Sequence, residues 1–254
     1  MDEKKPTQHL IFNEKTTGKV MEFYETLENQ LLEVLRIIPF EKQNFDVWSP
    51  KLISIFLDSC SIIDSIFKTT SRSKEKIYGR IIKRTDLNMN HFRHLYRNKF
   101  SLGDLNSLMY VSPPVVLAPF KEWMGKGSGQ NPNWWQDHQR VKHDRLNNMN
   151  LATIKNTVNA VCGLFQVISQ HPKMVIAIIR YRWLSNGGYA PDYLIRNLSS
   201  IKRRKETNDI FLVETKLFVT TIGKRSFPNN VKEINPLYYK GGMVRLNNFL
   251  GRIS

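Results

Sequence analysis

The sequence predicts a mainly α fold: a helical bundle with a long insertion between two helices and a small C-terminal α/β or irregular extension. Three observations carry this. Apolar residues recur at spacings of three and four along separate stretches of chain. Proline, glycine and Ser/Thr clusters fall at the ends of those stretches. The 254 residues are 41% hydrophobic and 11% aromatic, enough to build a packed core and to argue against wholesale disorder.

Residues 1–16 read as a mobile polar leader. Val20, Phe23, Leu27, Leu31, Val34/Leu35 and Ile38 then trace one helical stripe over 17–38, ended by Pro39. Ser49-Pro50 is a start signal, a capping hydroxyl followed by proline at the first helical position. Leu52, Phe56, Cys60, Ile63 and Phe67 mark a second helix over 50–69, closed by the Thr69–Ser73 cluster. A short, very basic helix is expected over 88–100, with Phe92 and Tyr96 on one side. Residues 101–131 break the pattern: Pro113-Pro114, Pro119 and the Gly125–Gly129 tract exclude a continuous helix. Met109-Tyr110-Val111 and Val115–Leu117 read there as short extended pieces.

The last bundle helix is expected over 134–170, on the rhythm of Leu151, Ile154, Val158, Val161, Phe165 and Ile168. Residues 132–146 form either its first turns or a separate short helix leading into it. Residues 171–254 make a basic C-terminal extension, with a helix over Asp192–Lys205 and alternation over Ile210–Ile222 that favours strand, although Glu214-Thr215-Lys216 suits a hairpin turn.

Charge is distributed unevenly. Residues 1–50 hold six Lys/Arg against nine Asp/Glu, and the remainder 32 against 13. Residues 72–99 carry nine basic and two acidic residues, and 173–205 carry eight and one. Arginine is interleaved with aromatics there, as in Arg93, Tyr96, Arg97 and in Arg180, Tyr181, Arg182, Trp183. That combination suits polyanions: phosphates for the guanidinium groups and base faces for the rings. RNA is the expected partner, with DNA second. No apolar run is long enough for a transmembrane helix, and the charged N-terminus does not read as a secretory signal, so a cytoplasmic protein with no membrane contact is expected. Cys60 and Cys162 read as buried free thiols.

No P-loop, GxGxxG, HExxH, GxSxG or CxxC pair is present. Carboxylates are sparse in the basic portion, which disfavours a two-metal nuclease. His91 and His94 stand three apart but lack a third ligand nearby. No metal and no cofactor are therefore expected. The richest segment is Asn131–Arg145. If it is helical, Arg140, His143 and Asp144 share a face, with His138 and Lys142 on its flank. Imidazole beside guanidinium can cleave RNA without metal, the ring moving a proton and the arginine holding the phosphorane charge. The plainer alternative is a polar helix start held by its own ion pairs, with Trp134 and Trp135 as core anchors.

The run Pro119-Phe120-x-x-Trp123, then Trp134-Trp135-x-x-His138-Gln139-x-Val141-Lys142-His143-Asp144-Arg145, then Ala160-Val161-Cys162-Gly163-Leu164-Phe165, resembles bacterial HEPN-like proteins over roughly residues 17–170. The resemblance implies a HEPN-like helical bundle that often dimerises. It also implies metal-independent RNase activity in a toxin–antitoxin or phage-defence setting, with an antitoxin or defence-system partner. His143 would then be the general acid/base, with Arg140 and Arg145 on the phosphate and Asp144 orienting one of them. Lys142, His138, Arg93, Arg97, Arg180 and Arg182 would hold the nucleic acid. The family spaces its Arg and His by four to six residues; here Arg140 and His143 are separated by two. His138-Gln139 stands where the group has Tyr-Asn. The rival expectations are a non-catalytic nucleic-acid-binding or scaffolding protein of the same fold, and a small-molecule enzyme with 101–131 as a lid over a closed apolar pocket.

Overall fold

The computed structural model describes residues 13–125, 131–185 and 212–221. The leader up to residue 12 and the helix expected over Asp192–Lys205 lie outside them. The described chain is mainly helical.

Helix α1 (Glu14–Ile37) begins at Asn13, whose side chain accepts from Thr16 N at 2.9 Å, so its first turn takes the end of the segment expected as leader. It stops before Ile38-Pro39, as the residue preceding a proline requires. Its buried stripe is Thr17, Met21, Tyr24, Leu27/Glu28, Leu31 and Val34, while Phe23 is 58% exposed. Leu27, Leu31 and Val34 of the expected stripe are buried and Val20, Leu35 and Ile38 pack at its edge; Phe23 is the departure, because Tyr24 fills the core in its place. Helix α2 (Pro50–Thr70) starts where Ser49-Pro50 predicts, with Ser49 Oγ accepting from Leu52 N at 3.2 Å, and it buries Leu52, Phe56, Cys60, Ile63 and Phe67.

Strands β1 (Lys74–Ile77) and β2 (Arg80–Lys83) form an antiparallel hairpin that the periodicity did not announce. Its turn holds Tyr78 at φ 50° and Gly79 at φ 78°, the two left-handed residues that a tight hairpin needs. Helix α3 (Met89–Tyr96) opens with a capping box: Asn88 Oδ1 accepts from His91 N, and His91 Nδ1 accepts from Asn88 N at 3.2 Å. That ring nitrogen belongs to the helix start, which removes it as a metal ligand.

The expected loop insertion contains two strands, β3 (Ser107–Met109) and β4 (Val115–Leu117). Helix α4 (Asn133–His143) is a separate helix, joined through α5 (Arg145–Asn148) and a 3-10 turn to α6 (Ile154–Gln170). The short-helix alternative for 132–146 is the one observed. Helix α6 is buried on nearly every side and packs against α2, α1 and α4. A short α7 (Val175–Arg180) follows, then β5 (Leu184–Ser185), β6 (Leu212–Glu214) and β7 (Phe218–Thr221).

These strands form one antiparallel five-stranded sheet in the order β4-β3-β7-β6-β5, with Leu108 opposite Val219. Segments read as an insertion and an appended extension thus share a sheet, and Leu217 and Phe218 reach the same core as the helices. Two buried polar groups bind the layers. Gln166 Nε2 on α6 donates to Leu105 O at 3.1 Å and Ser107 Oγ at 2.9 Å. Glu28 on α1 accepts from Leu217 N at 3.1 Å, Lys216 N at 3.3 Å, Tyr24 Oη at 3.0 Å and Thr215 Oγ1.

Candidate nucleic-acid interface

Helix α4 presents two faces. Trp134, Trp135, His138 and Val141 point inward, while Gln136, Arg140 and His143 are exposed, with Gln139 half-buried beside them. The outer residues stand at i, i+3, i+4 and i+7, so they form one stripe. Trp134 anchors the inner face: its Nε1–H donates to Pro119 O at 2.7 Å and its ring meets Phe120 edge-on at 5.7 Å. A Cβ on Gly163 would lie 3.3 Å from Trp134 Cζ2, so the glycine of the Gly163-Leu164-Phe165 stretch is there for the close approach of α4 to α6.

The motif residues divide accordingly. Its tryptophans and glycine serve packing. Arg140, Lys142, His143 and Arg145 are all exposed at the corner between α4 and α5. Arg140 pairs with Asp137 at 3.3 Å, and Asp137 in turn accepts from Asn156 Nδ2 at 2.9 Å at the start of α6. Asp144 does not orient an arginine as expected. It terminates α4 and caps α5, with both carboxylate oxygens taking hydrogen bonds from Asn147 Nδ2 at 3.1 and 2.9 Å.

Three of the other expected nucleic-acid contacts have inward partners. His138 is 3% exposed, set between Phe56 and Trp135, with Nδ1 3.1 Å from Gln139 Nε2. Burial first, then the charges of Lys142 and His143, lower its pKa to about 4, so the ring is neutral at neutral pH. Arg93 is buried and bonds the carbonyls of Trp123 (3.4 Å) and Gly125, and Arg97 donates to Trp123 O at 3.3 Å. Both arginines fasten the turn before residue 126, because those carbonyls need donors and the long side chains of α3 reach them. Arg180 pairs with Glu14; Arg182 is exposed beside a buried Trp183 whose ring meets Tyr24 at 4.8 Å.

Between α2, the start of α3 and α4 lies an open cleft of about 700 Å³. His138 forms its floor, Lys142 and Arg145 stand at its α4–α5 side, and Asn88, Asn90 and Gln139 offer amides. Arg140 and His143 are not among its lining residues. Sequence reasoning passed over those amides, whose only signal was Asn and Gln crowding at 88–90 and 131–139. The polar lining gives no support to a closed apolar pocket for a small molecule. Among the described residues no three His, Cys, Asp or Glu side chains gather as a metal site, and no single helix is long and apolar enough to cross a membrane. Cys60 and Cys162 are buried, and burial raises both thiols above their ordinary pKa. Compared with known proteins, the chain matches no family model, no curated protein and no solved structure.

Proposed function

We propose that this chain binds nucleic acid, RNA in the first place, through the basic corner between α4 and α5. One observation carries the reading: Arg140, Lys142, His143 and Arg145 are exposed together within six residues, and among the described residues only Arg140 has a carboxylate partner. Exposed cations without countercharge attract phosphates and release counterions on binding. Three such contacts, from Arg140, Lys142 and Arg145, would weaken binding about twentyfold between 50 and 200 mM salt, from a slope of about −0.7 per single-strand contact. Titration of a labelled RNA at those salts, with wild type and Lys142→Ala/Arg145→Ala, tests it. Binding that is absent at low salt, or indifferent to salt, would overturn it.

A second reading, metal-independent cleavage by a HEPN-like bundle in a toxin or phage-defence setting, is favoured by the placement of His143 and Arg140 three residues apart on one solvent-facing stripe. An imidazole there can reach a 2′-hydroxyl while the guanidinium holds a non-bridging oxygen. The homodimer and the antitoxin partner belong to this reading. Incubation with RNA in EDTA tests it: wild type should cleave, and His143→Ala should not while keeping its melting temperature. Intact RNA after incubation with wild type removes the catalytic reading and leaves the binding one.

A further inference from the structure

The hairpin β1–β2 is built against its own stability on one face. Directly opposed residues of an antiparallel pair project to the same side. Glu75/Ile82 and Ile77/Arg80 make one side, where Ile77 is fully buried and Ile82 packs on the core. Lys74/Lys83 and Lys76/Ile81 make the other, and all four are exposed, Ile81 by 73%. Two lysines directly across a ladder repel each other, and among the described residues none of the three lysines has a salt bridge. Glu75, the one carboxylate of the hairpin, faces the other way and accepts from Arg72 N at 2.8 Å. At the tip, Tyr78 occupies a left-handed φ of 50° that asparagine or glycine would fill with less strain. Its ring is 68% exposed and is backed by His94 at 4.7 Å between centroids.

We infer that this outer face is a second contact surface for single-stranded RNA, with Lys74, Lys76 and Lys83 on successive phosphates and a base stacked on Tyr78. The inference rests on the nucleic-acid reading above and extends it to a different part of the surface. The chemistry fits a single strand: cations clustered on one face hold a phosphate backbone, and an exposed ring with a second ring against it offers a stacking platform that any base can use. The hairpin leads directly into Leu87–Asn90, which line the cleft beside the α4–α5 corner.

The experiment measures binding of a labelled single-stranded RNA of about 20 nucleotides across a salt series. Wild type is compared with Lys74→Ala/Lys76→Ala/Lys83→Ala, with Tyr78→Asn, and with Lys142→Ala/Arg145→Ala. Losing three phosphate contacts should lower the log–log salt slope by about 2. Tyr78→Asn should weaken binding by at least about fivefold with the slope unchanged, since stacking carries no counterion release. It should also melt no lower than wild type, because Asn-Gly is the favoured sequence for this turn; a structural role for the ring predicts the opposite. If the triple variant keeps the wild-type slope while the corner variant loses it, the hairpin inference falls and the corner contact stands. If wild type binds no RNA at low salt, both fall. Preference for a duplex of the same sequence overturns the stacking role. Binding to anionic phosphatidylserine vesicles that depends on the same residues, without RNA binding, assigns the face to a membrane surface instead.

Discussion

Two buried histidines should make the fold acid-labile well above the carboxylate range. His138 lies under the cleft, and His171 lies at the end of α6 with Nε2 2.8 Å from Thr70 Oγ1 and Nδ1 accepting from Lys173 N at 3.1 Å. Both are 3% exposed or less, and burial, helped by nearby lysines, lowers each pKa from 6.5 to about 4. The folded state therefore binds fewer protons than the unfolded chain between those values. Stability from each group is fully present above about pH 6.5 and is lost as pH falls toward 4. At pH 5 each histidine costs about 2 kcal/mol, from one unfolded group about 97% protonated and one folded group about 9% protonated. Together they remove about 4 kcal/mol, a large part of the 5–15 kcal/mol typical of a domain.

Urea unfolding at about pH 7.5 and pH 5 measures this. Wild type should show a clearly lower midpoint at pH 5, equivalent to about 4 kcal/mol of stability. His138→Phe/His171→Asn should lose far less, since phenylalanine suits the space between Phe56 and Trp135, and asparagine can still cap Lys173 N. Glu28 acts in the opposite sense. Burial pushes its carboxyl above the ordinary value despite four donors pulling it down, so its contribution is present below the unfolded carboxyl pKa and is lost as pH rises through the folded one. The double histidine variant isolates the two effects. Equal acid sensitivity in that variant and wild type would refute the assignment to these rings.

Glu28→Gln should destabilise by about 2 kcal/mol, because an amide nitrogen placed among four donors leaves at least one buried N–H without an acceptor, and its deficit against wild type should narrow as pH rises; denaturant titration at two pH values reads both. Gly163→Ala should cost about 1 kcal/mol net, since the overpacking against Trp134 exceeds the gain of about 0.5–1 kcal/mol in helix propensity, and Trp134→Phe in the same chain should recover part of it by calorimetry.

Local signals in the sequence carried a good deal of this fold. Ser49-Pro50 marks the start of α2 and Pro39 the end of α1, because capping and proline sterics act within a turn. The Ile154–Ile168 rhythm marks α6, although its burial on every side shows only in three dimensions. Nonlocal pairing was hidden. The sheet joins residues 107–117 to 212–221, and no local pattern specifies which strand pairs with which. The β1–β2 hairpin was masked by its lysines, since only Ile77 and Ile82 face the core. At the site, i, i+3 spacing brought Arg140 and His143 to one helix end as expected. Arg93 and His138 misled, because side-chain type alone does not tell an arginine bonded to buried carbonyls, or a histidine under two rings, from one at the surface.

The basic corner itself has a structural explanation for three of its four basic residues, and the fourth separates structure from function. Arg140, Lys142 and His143 occupy the last turn of α4, where unsatisfied carbonyls and the helix dipole favour positive charge by about 0.3–1 kcal/mol per group. A helix end with such residues needs no ligand to account for it. Arg145 differs. It is the first residue of α5, next to the amide N–H groups that Asp144 caps, where a cation is disfavoured by the same field and an acid would be favoured. Among the described residues it has no carboxylate within salt-bridge distance, and it lines the cleft with Lys142, in a lining that also holds Asp58 and Asp64 of α2. Arg145→Glu should therefore leave the melting temperature equal to wild type or slightly above it, a gain of a few tenths of a kcal/mol at about 50 mM salt. RNA affinity at that salt should fall by more than removal of one phosphate contact explains, because a repulsive charge replaces an attractive one. Arg145→Ala lies between the two. If Arg145→Glu instead melts several degrees lower with RNA affinity intact, Arg145 is a structural residue and the corner loses the one cation that helix electrostatics does not already explain.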